Sequence, residues 1–400
     1  MKKVFALAVA LVATMGASAQ LYYQDATNVD MMRHSQRNEA HRREIVIPQV
    51  NGYTVYKADL HTHTIYSDGS VTPEYRVREA WMDGLDVIAI TDHYEGTTGL
   101  RKTLKVAAPQ NGGTPIAYKA AKQLNTPPAD FNAIHEEAAS QVEKSGLPML
   151  VIKGCEMARN AQTHGHFNAL FLDDINTLYA PDMAEAFRKV KKQGGIIIHN
   201  HPAWRRKTSD KTEFHEKVYG EGLVDGIEVV NGGTFYPHIV RRCLDEKLTM
   251  FGNTDEHGLT AYRFAAAGHH RTMTLIFAKD LTEKAIKDAI LKHRTLVYAG
   301  GYVIGDVNWL GELLNASVDC RLVKVDEKKG NRTFQFTNHS SITYRLQRGK
   351  TTYELAPFKS IMISCGKDKK TGKYLLPKFR INNMWQEDYK HPNIEIALDK

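Results

Sequence analysis

The apolar positions along the chain change period in a regular order, and that order predicts the fold. Residues 55–60, with Val55, Tyr56, Ala58 and Leu60 apolar, form a run of strand length. The period then lengthens: Thr72 offers an N-cap, Pro73 sits at the first helical position, Val77, Ala80 and Trp81 recur at helical spacing, and Gly84 closes the element. Residues 85–91 are almost continuously apolar, as in a parallel strand covered on both faces. These three elements make a βαβ unit.

The alternation continues beyond a Gly- and Pro-containing insertion at 96–128. Phe131, Ile134, Ala138 and Val142 mark a helix, residues 147–153 a strand ending at Glu156, and residues 166–172 another strand. A helix over 182–192 precedes a strand over 195–199 that runs into His201-Pro202; strands at 226–230, 249–252 and 271–278 and helices at 238–246 and 281–291 follow. Strands alternating with helices over about 200 residues predict a closed or nearly closed α/β barrel, with its site at the carboxyl ends of the strands. After residue 305 short alternating runs split by Lys, Gly and Asn turns predict a small antiparallel β domain over 305–400.

The amino terminus stands apart. Lys2 and Lys3, an apolar run over 4–15 and Ala17-Ser18-Ala19 predict a secretory signal over 1–19, cut before Gln20. The mature protein is then exported, periplasmic or secreted, with no membrane span, and residues 20–50 read as a polar surface leader. Cleavage removes two lysines and lowers the formal charge from +8 to +6, which suits anionic substrates without selecting one. Basic residues are scattered rather than striped with aromatics, so nucleic acid is not indicated as a partner. Apolar content of 42% and charged content of 24% exclude the disordered and fibrous classes. The four cysteines show no CxxC spacing, and Cys320 with Cys365 is the one pair worth testing as a disulfide.

Histidines and carboxylates concentrate at the predicted strand ends. His61 and His63 sit one residue apart, where a strand sends alternate side chains to one face. Asp68, His93, Glu156, His166, His201, Asp255 and His257 occupy comparable junctions. Eight of the 18 histidines fall in these motifs once His164 and His199 are counted. Imidazole with carboxylate and no thiolate suits Zn, Mn or Fe at a hydrolytic site, and nine ligands exceed what one ion needs. Two or three divalent ions sharing carboxylates and a bridging hydroxide would use them, which points to hydrolysis of a small-molecule phosphate ester. Arg159, Arg205, Arg206 and Arg263 follow the ligand motifs and are candidate phosphate clamps. Trp204 and Tyr262 could face a substrate, and His164 or His199 could protonate the leaving group. No GxSxG elbow, P-loop or dinucleotide fingerprint is present.

Taken together, DLHTH at 59–63, SDG at 67–69, TDH at 91–93, the Glu156 strand end, HFNAL at 166–170, the HP pair at 201–202 and TDEH at 254–257 resemble the PHP family, metal-dependent phosphoesterases named for polymerase and histidinol phosphatase. The resemblance runs over about 55–300 with the motifs in order, and implies a distorted (β/α)7 barrel, here over 51–304, with a trinuclear centre. It implies that His61 and His63 hold one ion, that Glu156 bridges, that His93 and His201 serve a neighbour, that Asp68 and His166 belong to a third ion, and that Asp255 with His257 closes the site. Asp59 and Asp92 would orient the imidazoles. The additional β domain resembles the phosphodiesterase branch, so diesters are the expected substrates, with phosphomonoesters as the alternative and a non-catalytic metal-binding scaffold as the rival from another class.

Overall fold

The computed structural model describes residues 41–94, 130–368 and 370–398; the signal, most of the leader and the 96–128 insertion lie outside them. Residues 42–400 group into one compact unit. Among the described residues no helix is long and apolar enough to cross a membrane.

The strands are β1 Thr54–Asp59, β2 Val87–Ile90, β3 Leu150–Ala158, β4 His166–Leu170, β5 Ile196–Asn200, β6 Gly226–Asn231, β7 Thr234–Phe235, β8 Thr249–Asn253, β9 Met273–Ala278, β10 Thr295–Ala299 and β11 Tyr302–Ile304. Between them run α1 Pro73–Met82, α2 Phe131–Ser145, α3 Met183–Lys192, α4 Glu213–Gly220, α5 Pro237–Glu246 and α6 Glu283–Leu291. Side-chain caps start several helices where the sequence places them: Thr72 accepts from Tyr75 N, and Asp182 accepts from Ala184 N.

The first three strands are parallel neighbours, as are β5, β6 and β8, but β4 lies antiparallel between β3 and β5, and β9 runs antiparallel to β1. With the antiparallel pairs of β10 to β9 and β11, these placements distort the α/β barrel into a curled sheet. Strand alternation separates two cores. Ile88 and Ile90 face outward into a cluster with Val77 and Ala80 of α1 and Ile134 and Ala138 of α2, whereas Val87 and Ala89 join Ala58, Ile152, Ile196, Ile198, Phe251 and Ile276 in a second cluster that fills the barrel. The curled sheet is drawn together where β8 meets the β9 side: Gly252 exchanges hydrogen bonds with the Thr274 hydroxyl at 3.0 Å in each direction. Only glycine fits there, since a Cβ at position 252 would collide with Val297.

Past residue 305 the chain first forms a helix, α7 Val307–Ser317, capped by Asp306 and burying Leu310, Leu313 and Leu314; the sequence reading placed only strands in this region. The remaining strands are β12 Val318–Asp326, β13 Asn331–Asn338, β14 Tyr344–Arg348, β15 Thr351–Leu355, β16 Ser360–Cys365, β17 Lys378–Ile381, β18 Met384–Trp385 and β19 Asn393–Glu395. They build two small antiparallel sheets, β12-β13-β16 and β15-β14-β17-β19, while β18 joins the large sheet beside β11. Cys320 and Cys365 are not joined by a disulfide, and all four cysteines are thiols. Cys320 sits opposite Phe336, which sits opposite Ile361, whereas Cys365 lies four residues further along β16. An intervening strand and that offset separate the two far beyond the ~7 Å Cα limit of a disulfide.

Candidate metal centre

The nine candidate ligands converge. They form four overlapping groups, His63-Asp68-His93-His257, His61-His63-Glu156, His61-His201-Asp255 and His93-Glu156-His166, each with its donor atoms within 4.8 Å of one another. The loops that carry them interlock through the backbone: His63 N donates to Glu256 O (3.0 Å), Asp255 N to His61 O (2.9 Å) and Glu156 N to Asp92 O (3.1 Å). The site is therefore assembled by the strand order itself. Glu156 lies within β3 rather than past its end, so its carboxylate points into the barrel mouth from a rigid ladder. Gly69 completes the turn after His63, where a Cβ would come within 2.7 Å of the His63 carbonyl carbon.

Glu156 is the hub. His61 Nε2, His166 Nδ1 and His201 Nε2 each lie 3.3 Å from Oε1, and His93 Nδ1 lies 2.6 Å and His63 Nε2 3.7 Å from Oε2. His93 Nδ1, His166 Nδ1 and Glu156 Oε2 are nonetheless buried without a directed hydrogen bond. Buried polar atoms are rarely left so, and lone pairs converging without protons between them are what a cation satisfies. The electrostatics agree. Burial is the largest influence on Glu156 and disfavours its charge, yet His93, His166 and His61 outweigh it and hold the carboxyl well below its ordinary range. Burial likewise opposes charge on His93, but Glu156 and Asp68 push its imidazole up to about 10; His63, buried and facing His257 and His93, falls to about 3. The cavity demands positive charge, and the donor set of imidazole and carboxylate fits divalent cations. The partition differs from that implied by resemblance: Asp68 sits with His63, His93 and His257, and His166 with His93 and Glu156.

Asp59 and Asp92 touch no imidazole directly. Asp59 accepts from the His61 and Thr254 amides and the Thr254 hydroxyl and pairs with Arg271, while Asp92 accepts from Thr64 and from Ser67, whose hydroxyl reaches His63 Nδ1 at 3.2 Å. Asp59 fixes loops, and Asp92 reaches the His63 ring through Ser67. Residues the sequence reading overlooked share that work: Arg76, buried, donates to the carbonyls of His63 and Glu256, and Asn200 donates to Glu156 and Asn168. Glu228, buried within β6, receives His61 Nδ1 at 2.8 Å. His201 and Asp255 adopt positive φ, 26° and 54°; that break in strand alternation lets Asn200 and His201 both turn toward Glu156.

The two histidines expected to move protons are elsewhere. His199 pairs opposite Phe167 on the face of β5 away from Asn200, stacks on that ring at 4.4 Å and meets Tyr219 Oη at 2.8 Å. His164 lies on a turn against Phe214, with ring centroids 4.6 Å apart. Among the arginines, Arg159 donates to the carbonyls of Ala180 and Pro181, and Arg206 to those of Pro202 and Asp210, so both tie loops. Arg205 is exposed and lies 4.3 Å from the Trp204 ring, which itself packs on His166 and His201; Arg263 donates to Thr254 O beside Asp255. Tyr262 is exposed.

Behind this wall His215 closes a capping box: its Nδ1 accepts from Thr212 N, and its Nε2 donates to His164 O. A second proton would face the Thr212 N–H, and burial, the largest influence, lowers the pKa to about 4. Because the folded value lies below the unfolded one near 6.5, the unfolded chain binds the extra proton first, and stability present above pH 6.5 is lost as pH falls toward 4. The expected slope from this group is at most ~1.4 kcal/mol per pH unit. Urea titrations at pH 7 and pH 5 measure it, and His215→Gln, which keeps the capping box without a titrating ring, is expected to shallow the dependence.

A family model for the PHP domain matches residues 59–304. A two-domain protein from Bacteroides vulgatus, containing a domain predicted to be a PHP-like metal-dependent phosphoesterase, superposes with a TM-score of 0.76 at 32% identity over 91% of this chain and 100% of that one. A protein of Bifidobacterium adolescentis described as a metal-dependent phosphoesterase gives a TM-score of 0.38 at 17% identity over 59% of this chain and 96% of that one. No curated protein sequence matches the chain. The ordered motifs, the barrel that gathers them and the match over 59–304 lead to one conclusion, that this chain belongs to the PHP family.

Proposed function

We propose that the protein is an exported hydrolase of small-molecule phosphodiesters, working with two to three divalent ions, Zn, Mn or Fe, held by His61, His63, Asp68, His93, Glu156, His166, His201, Asp255 and His257. The observation that carries this reading is the convergence of nine buried or half-buried donors in overlapping groups that share Glu156, His61, His63 and His93. When bound, such ions offset phosphoryl charge and make a coordinated water nucleophilic near neutral pH. The protein's own part is to hold the donors rigidly and to shape the mouth. Trp204, lying against His166 and His201, forms one wall, with the Arg205 guanidinium stacked on it; Arg263, held over Gly232, forms another. Both cations can meet the non-bridging oxygens of a phosphate ester. The diester preference rests on the β-rich region that follows the barrel after residue 305.

Mature protein loaded with Mn or Zn should hydrolyse bis(p-nitrophenyl) phosphate in preference to p-nitrophenyl phosphate. A more than tenfold preference for the monoester overturns the diesterase reading in favour of a phosphatase. Hydrolysis of neither, with fewer than two metal equivalents per chain, makes the protein a scaffold.

A further inference from the structure

We propose that Glu228 is a positioning residue that fixes the tautomer of His61, and so decides whether His61 can accept a cation; the inference rests on the metal-site reading above. Glu228 is fully buried at the centre of β6, and each carboxylate oxygen meets two nitrogens. Oε1 meets His61 Nδ1 at 2.8 Å and Asn253 Nδ2 at 3.0 Å; Oε2 meets the His201 amide and Asn231 Nδ2, both at 2.8 Å. Among these, the backbone N–H is a donor in any state. With carboxylate oxygens accepting throughout, His61 keeps a proton on Nδ1, and Nε2 is the nitrogen left for a cation, facing His63, Glu156 and Asp255 at 3.2, 3.3 and 3.2 Å.

The surroundings select how an amide would lie there, because either orientation sets its NH2 against one donor, the His201 N–H or the Asn253 NH2. In Glu228→Gln the remaining oxygen must stay with the His201 N–H, which cannot be exchanged for an acceptor. The new NH2 then faces His61 Nδ1 and the Asn253 amide. Asn253 cannot turn over, because its Oδ1 already accepts from Leu60 N at 2.9 Å, but its side-chain NH2 can draw back from another donor where the backbone N–H of His201 cannot. His61 must therefore accept at Nδ1 and carry its proton on Nε2, where it points into the ligand cluster. A change of one atom in shape thus converts a ligand into a donor. The same carboxylate anchors the His201 backbone, so it couples two strand ends through one group.

The test compares wild-type and Glu228→Gln protein by chelator-competition titration with Zn, by the thermal midpoints of the metal-free proteins, and by ¹⁵N–¹H correlation on ¹⁵N-histidine-labelled, Zn-loaded samples, with His61 assigned by its loss in His61→Ala. The expected result is about 10- to 100-fold weaker Zn binding with similar metal-free midpoints, and a proton on Nδ1 of His61 in the wild type. Zn affinity within twofold of wild type overturns the proposal, as does a proton on Nε2 in the loaded wild-type protein; the second readout stands even if the variant does not fold. Wild-type protein that takes up no divalent ion overturns the metal-site reading itself, an outcome distinct from a wild type that loads fully and a variant that loads equally well.

Discussion

Glu156→Gln is expected to abolish phosphoesterase activity, by about 10³-fold or more in kcat/KM, corresponding to roughly 4 kcal/mol of transition-state stabilisation, and to reduce bound metal by at least one equivalent. The magnitude follows from position. Five imidazoles surround this one carboxylate, and Asn200 Nδ2 donates to its Oε1 at 2.9 Å. Glutamine preserves the shape but halves the acceptors, removes the charge and turns an NH2 toward ring nitrogens. The fold should survive, because residue 156 lies inside β3, whose backbone pairs with β2 and β4 irrespective of side chain. Elemental analysis alongside steady-state kinetics separates the outcomes: full metal content with unchanged rate would remove Glu156 from the centre of the site.

That centre was legible in the sequence because its ligands obey strand geometry. His61 and His63 share a face by alternation, and His93, His201, Asp255 and His257 fall where apolar runs stop. What escaped detection obeys the same geometry from inside an element. Glu228 is one polar letter in the apolar run of β6, and nothing local separates it from a surface-facing position. His199 shows the converse error: two residues from His201, it looks like a ligand, but alternation turns it onto Phe167. Only the positive φ of His201, invisible to a periodicity argument, brings His201 beside Asn200. Helix α7 lies where the change of texture after residue 305 points to β structure alone, although Asp306 and the Leu310, Leu313, Leu314 spacing carry a helical signal.

Arg271→Met is expected to destabilise the protein by about 3–5 kcal/mol, the usual cost of stripping one partner from a buried ion pair, with a secondary loss of metal affinity. The Arg271 side chain is wholly buried, reaching Asp59 at 2.5 Å and Asp83 at 3.2 Å. Asp59 in turn holds the Thr254 amide and hydroxyl and the His61 amide, and thereby joins β1 to the loop bearing Asp255. Asp83 and Glu79 of the neighbouring helical turn hold Thr260, and Glu79 pairs with Arg76, whose guanidinium grips the carbonyls of His63 and Glu256. The charges thus form one connected brace beneath the ligand loops. Removing Arg271 leaves Asp59 buried without its cation, whereas adding Asp59→Asn removes the uncompensated charge while the side-chain oxygen keeps an acceptor for Thr254. The double variant should therefore recover part of the loss, and a double-mutant cycle in urea measures the coupling. An Arg271→Met midpoint equal to wild type would mean that the Thr254 and His61 hydrogen bonds alone suffice to hold Asp59.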